Sequence, residues 1–209
     1  MLSFRNGNLE VRAPFFSQKT DIDKFVASKE NWIAKHLAKA NERETRRNSF
    51  SLTYGDNITY RGNRYTITEK QDGKGSFRDG RFYIQPNLPA WKIKEYCIDM
   101  YKTHAETLFY DIAREYAGRM QVLPTGVKIS NARTRWGSCS AKKSINISWR
   151  LIMADDDAIE YLIVHELAHL IEHNHSARFW AIVGSYIPDY RERKKKLKAL
   201  SIKLSYENW

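Results

Sequence analysis

The sequence predicts an α+β fold, and three stretches lead to that reading. Residues 50–84 contain short segments of alternating polar and apolar residues, separated by glycine-bearing turns. Residues 90–120 repeat apolar side chains at helical spacing. Residues 158–171 form a second helical run, strongly apolar, with His165, Glu166 and His169 set inside it. Together they predict an amino-terminal, strand-rich α+β lobe over 1–88. A second domain over 89–209 follows, with helices on a small mixed or antiparallel sheet.

The elements follow in order. Leu2 to Val11 reads as a hairpin about Asn6, Gly7 and Asn8, and Pro14 ends it. A helix is expected from Asp21 or Asp23, with Phe25, Val26, Trp32, Ile33 and Leu37 on its buried side. It runs out in the charged stretch 41–47, and His36 is structural or exposed. Two strands, 58–60 and 65–68, flank a turn at Arg61–Arg64. Further turns at 72–75 and 78–80 lead to a strand at 82–84, so a small antiparallel lobe is expected. After Pro86 and Pro89 a long helix covers 90–120, with Ile93, Tyr96, Cys97, Met100, Leu108, Ile112 and Tyr116 as its apolar stripe. Cys97 then reads as core.

Strands at 127–130 and 145–149 are expected to form a hairpin across a rich connection, 131–144. If the second of them is an edge strand beside the metal, its free backbone groups could pair with an extended substrate. Asp155, Asp156 and Asp157 cap the helix that follows and suit its positive end. Ser176 caps a short helix to Val183. A last helix starts at Pro188, with a basic run from Arg191 to Lys196 and an apolar side at Leu197 and Leu200.

The chain has 209 residues, two cysteines and a formal net charge of +11. Two cysteines make no disulfide framework, and no apolar run reaches membrane-spanning length. The expectation is a soluble cytoplasmic protein with no membrane partner. The charge favours anionic partners or serves solubility, and the basic carboxy-terminal helix is the candidate contact for nucleic acid.

The chemistry concentrates in His165-Glu166-Leu167-Ala168-His169. Residues four apart on a helix share a face, so the two imidazoles can reach one metal ion. Glu166 sits beside the first of them as a base for an activated water. One zinc ion, or another divalent ion in its place, is the expected cofactor. A catalytic zinc takes three protein ligands. His175, six residues on, can fold back after a helix stop at Asn174, and is preferred over His173 and Glu172. Cys139 is not expected in the set.

Several stretches jointly resemble a known family: 135–139 (Arg-Trp-Gly-Ser-Cys), 145–151, the His165–His169 motif, Asn174-His175-Ser176 and Phe179-Trp180. Val11–Pro14 and Trp32-Ile33 extend the likeness upstream. The set resembles the YgjP-like metal-dependent hydrolases, relatives of the SprT zinc peptidases. The resemblance implies a zincin-like core with His165, His169 and His175 as ligands and Glu166 as the base.

Candidate substrate-binding residues are Arg133, Arg135, Trp136, Asn146, Arg178 and Tyr190, with Arg135, Arg178 or Tyr190 as oxyanion partners. Three functions compete. The first is a zinc peptidase acting on peptide or protein. The second is a nucleotide phosphohydrolase of pyrophosphatase type, suggested by Arg133, Arg135, Lys142, Lys143 and Arg178. The third is a DNA-associated protease-like module using the basic last helix.

Overall fold

A computed structural model of the chain describes residues 2–5, 8–71 and 75–209. The turn residues Asn6 and Gly7, and residues 72–74 of the turn expected at 72–75, lie outside these. The chain divides into two compact units, 1–50 with 204–208, and 51–203 with Trp209.

In the first unit β1 (Leu2–Arg5) pairs antiparallel with β2 (Asn8–Val11), the hairpin expected. The single helix expected next is two, α1 (Lys19–Ala27) and α2 (Glu30–Ser49). Ser28 marks the break: its hydroxyl donates to the Phe25 carbonyl at 2.7 Å, a local bond that competes with the helical ladder. The expected buried side is not buried. Neither helix contains a buried residue, and Phe25, Trp32 and Leu37 are exposed. A two-stranded hairpin and two polar helices hold too little apolar surface to cover that stripe.

The second unit begins with β3 (Asn57–Tyr60), β4 (Asn63–Glu69), β5 (Ser76–Arg78) and β6 (Arg81–Ile84), in the order β3-β4-β6-β5. β4 and β6 run parallel, so the sheet is mixed where an antiparallel one was expected. β5 takes the outer edge and returns the chain to β6 in the β4 direction. Ile58, Ile67, Phe82 and Ile84 are buried from this sheet.

The division at residue 88 also differs from the unit boundary, because these strands group with the downstream helices. α3 (Ala90–Met120) explains why. The Tyr101 hydroxyl donates to the Thr59 carbonyl at 2.7 Å, and the Phe77 and Tyr101 rings stack at 6.4 Å. The α3 stripe steps in fours: Ile93, Cys97, Tyr101, Ala105, Phe109 and Ala113 are all buried. Burial pushes the Cys97 thiol up to about 12, in keeping with a core residue.

β7 (Gly126–Ser130), β8 (Gly137–Cys139) and β9 (Ser144–Ser148) form a second sheet, ordered β7-β9-β8. The expected hairpin is replaced by a parallel pair, β7 with β9, and β8 runs antiparallel to β9. β9 is therefore central, with Ile145 and Ile147 fully buried, and β7 and β8 are the edges. The connection is long enough for a crossover, and parallel pairing needs one.

A 3-10 turn (Trp149–Met153), wholly buried, leads into α4 (Asp156–Ala168), α5 (Ala177–Tyr186) and α6 (Tyr190–Leu204). The buried Arg150 is satisfied by Asn131 at 2.9 Å and the Trp209 carbonyl at 2.6 Å. The start of α4 is held by ion pairs instead of side-chain caps: Asp155, at the N-cap, makes no capping bond. Arg61 grips Asp156 through two bonds of 2.6 and 2.8 Å, and Lys196 reaches Asp157 at 2.6 Å. Gly62, in the β3–β4 turn, has φ +74°, and an added Cβ would collide with the Asp155 carboxylate. Among the described residues no helix is long and apolar enough to cross a membrane.

Candidate metal centre

α4 presents His165 and Glu166 and ends at His169, which occupies the C-cap. The chain then turns through Leu170–Asn174 and re-enters helix at α5. The Ser176 hydroxyl accepts from the Phe179 N–H at 3.2 Å, the cap expected, and so fixes the residue just before it, His175.

His165, His169 and His175 offer ring nitrogens that all lie within 4.8 Å of one another. The Nε2 atoms of His165 and His175 are 3.1 Å apart. Two nitrogens on one tetrahedral zinc stand about 3.3 Å apart, from metal–nitrogen bonds of about 2.05 Å. His169 Nδ1 lies 3.2 Å from the Glu172 carbonyl, which can only accept. That bond places the proton on Nδ1 and leaves Nε2 as a lone-pair donor, the orientation a ligating histidine needs.

Glu172 thus contributes its carbonyl to His169, and His173 is exposed outside the group. Cys139, partly buried on β8, is not in it either. No sulfur joins the donor set, and three imidazoles suit zinc and similar divalent ions.

Burial drives the electrostatics. It pushes the His165 imidazole down to about 3, and the neighbouring His169 and His175 act in the same direction. His169 is lowered too, first by burial. Both rings are therefore neutral near pH 7. Glu166 is only 4% exposed, and burial pushes its carboxyl up to about 7 against the pull of Arg135. Among the described residues, Glu166 Oε2 and His165 Nδ1 are buried without a hydrogen-bond partner, as is Asp157 Oδ1 at the other end of the helix. A buried carboxylate oxygen left unpaired beside three converging lone pairs is costly in the protein alone, and fits a site completed by an ion and water.

Packing replaces hydrogen bonds around His165. Its ring meets Phe179 at 4.9 Å, Trp180 at 5.7 Å and Tyr161 at 5.9 Å. The Tyr161 phenol is pushed up to about 12 by burial and then by Glu166, so it stays protonated. Gly137 on β8 lies against Glu166, where a Cβ would come within 2.5 Å of Oε1. The site opens into a cleft of about 1010 Å³ whose lining includes Trp136, Gly137, Trp180 and Tyr190.

The sequence-derived substrate residues divide accordingly. Trp136 and Tyr190 line the cleft, and the Trp136 indole donates to Ser201 of α6 at 3.0 Å. Arg133, Arg135, Asn146 and Arg178 are not among the lining residues, nor are Lys142 and Lys143. Arg135 is exposed and acts on Glu166 only through its charge. Sequence reasoning missed Tyr161, Gly137, Lys194 and Lys198 as cleft residues. Tyr161 carried a usable signal: it precedes His165 by one helical turn on the same face.

No curated protein matches the chain. Among solved structures, the metallopeptidase zymogen abylysin of Pyrococcus abyssi is similar at 22% identity and a TM-score of 0.41, over 47% of this chain and 97% of that one. The metallopeptidase zymogen jannalysin of Methanocaldococcus jannaschii is similar at 20% identity and a TM-score of 0.37, over 46% of this chain and 92% of that one. A family model described as YgjP-like, metallopeptidase domain, matches residues 2–200. The chain belongs to the YgjP-like metallopeptidase family and is, by that membership, a metal-dependent hydrolase.

Proposed function

We propose that the protein is a zinc-dependent peptidase in which His165, His169 and His175 hold the ion and Glu166 is the general base. The observation that carries this reading is the buried, unpaired Glu166 carboxylate set beside three converging imidazoles. When bound, a divalent ion supplies Lewis-acid polarisation of a carbonyl and lowers the pKa of a water.

The chain's own groups do the rest. Burial holds Glu166 near neutrality, where a base both accepts and returns a proton efficiently. Glu166 takes the proton from the attacking water and delivers it to the leaving amide nitrogen. The edge strand β8 offers free backbone groups to an extended substrate, the part β9 would take only at an edge. Gly137, with no side chain, lets that strand lie against Glu166, so peptide and base share one wall of the cleft. Tyr161 and Tyr190 line the same space, and the protonated Tyr161 phenol is a standing donor for a developing oxyanion.

The phosphohydrolase reading was motivated by arginines and lysines near the metal elements, and those residues lie outside the cleft lining. The peptidase reading is tested with an unfolded protein substrate. Cleavage is expected to stop with a chelator and return with zinc. Intact substrate after zinc loading, with phosphate released from nucleoside triphosphates instead, would replace it.

A further inference from the structure

The cleft has a second wall, formed by α6. Arg191, Lys194, Lys198 and Ser201 recur at intervals of three and four, and Lys195 lies four after Arg191, so they share one broad helical face, and all five line the cleft. The opposite side of α6 is neutralised. Arg193 bonds Asp189 at 2.9 Å and Glu160 at 3.0 Å, and Lys196 bonds Asp155 at 3.3 Å and Asp157 at 2.6 Å. Those pairs pin α6 to the start of α4 and turn the remaining cations towards the metal centre.

On the cleft face only Lys195 has an ion pair, with Glu192 at 2.8 Å. Arg191, Lys194 and Lys198 have none among the described residues. The Lys194 ammonium sits 5.0 Å over the Trp180 ring, and Trp180 stacks on His175 at 5.7 Å. The positive wall is thus linked to His175 through the Trp180 ring. The only carboxylate in the whole lining is Glu166.

Such a wall repels basic substrates and attracts anionic ones. The spacing favours a particular anion. Arg191, Lys194 and Lys198 spread over about 10 Å of helix at about 1.5 Å per residue, instead of converging on one point as a phosphate pocket would require. Side chains two apart on an extended peptide repeat about every 6.7 Å, close to the step of about 6 Å between residues four apart on a helix.

We propose that this face of α6 is a specificity subsite for acidic peptide segments, reading carboxylate side chains next to the bond cleaved at the metal centre. The proposal rests on the peptidase reading, and the same experiment separates the two. Short fluorescent peptides, identical except for Glu, Gln or Lys at alternating positions, are titrated into the zinc-loaded full-length protein at low salt. Their cleavage is followed in parallel. Inorganic triphosphate serves as a competitor.

The Glu peptide is expected to bind about tenfold more tightly than the Gln peptide and to be cleaved with a correspondingly higher kcat/KM, since two or three partly exposed ion pairs supply about that factor. Salt is expected to erase the difference. Lys194→Gln/Lys198→Gln should abolish the preference, and Lys194→Glu/Lys198→Glu should invert it towards the Lys peptide. Equal binding of all three peptides would overturn the proposal and leave cleavage, and with it the peptidase reading, standing. A Glu preference untouched by either double variant would also overturn it. Binding of triphosphate in preference to every peptide would reassign the wall to phosphates. Tight, α6-dependent binding of the Glu peptide with no peptide cleaved would keep the subsite and sink the peptidase reading.

Discussion

The two ends of α4 use polar residues in opposite ways. At the start, Asp155, Asp156 and Asp157 all face cations: Arg61 takes Asp156, and Lys196 takes Asp155 and Asp157. At the end, Glu166 and His165 are more deeply buried yet keep unpaired atoms, and three imidazoles face one another with no anion among them. The first arrangement gives each carboxylate a cation, though Asp157 Oδ1 stays unbonded, and holds elements together. The second is unsatisfied in the protein alone and fits completion by an ion. The difference teaches how to separate anchoring charge from functional charge on a single helix: a buried carboxyl with no ion pair among the described residues marks the site.

The sharpest break of this comparison is removal of a ligand. His175→Ala should lose tight metal binding and essentially all turnover, whereas His173→Ala should keep both, as measured by metal content after dialysis and by cleavage. Loss of metal in His173→Ala would reassign the third ligand. Next is Gly137→Ala. The added methyl would press on the Glu166 carboxylate, and a displacement near 1 Å at the reacting groups costs about 100-fold in kcat. The circular dichroism spectrum and metal content should be unchanged. Wild-type kcat in this variant would remove the β8–Glu166 contact from the account.

The two ends should then differ in the sign of a stability change. In the metal-free protein Glu166 has a folded pKa of about 7, above its ordinary 4.5, so its ionisation opposes folding as pH rises through that interval. Glu166→Gln should therefore stabilise the metal-free fold at pH 8, on the order of 2 kcal/mol by denaturant titration. The gain should vanish near pH 4, where the wild-type carboxyl is protonated. A gain that persisted at pH 4 would assign it to packing. The smallest effect belongs to the other end. Asp156→Asn breaks the pair with Arg61, and both side chains are substantially exposed. It should cost only about 0.5 kcal/mol, and less in high salt.

Much of this was legible in the sequence because the relevant signals are local. The His165–His169 spacing, the return of the chain at His175, the Ser176 cap and the core position of Cys97 each depend on a few neighbouring residues. Long-range pairing was not legible. Alternation at 127–130 and 145–149 marks strands, but whether β9 meets β7 as a hairpin or through a crossover depends on where β8 inserts. The α3 stripe was partly misread because its buried positions step by four through Ala105 and Ala113, whose small side chains give a weak periodic signal. The role of α6 was hidden by its charge run: only the partners supplied by α4 divide Arg193 and Lys196 from Lys194 and Lys198. The fate of Phe25, Trp32 and Leu37 shows the converse, a helical stripe that the sequence assigns to a core and the fold leaves exposed.

The most direct test of the central claim compares wild type with Glu166→Gln, both loaded with zinc and with metal content measured, on one unfolded protein substrate. The account predicts one zinc in each and turnover lower in the variant by about 100-fold or more, the usual share of a positioned general base. Full turnover in zinc-loaded Glu166→Gln would contradict it.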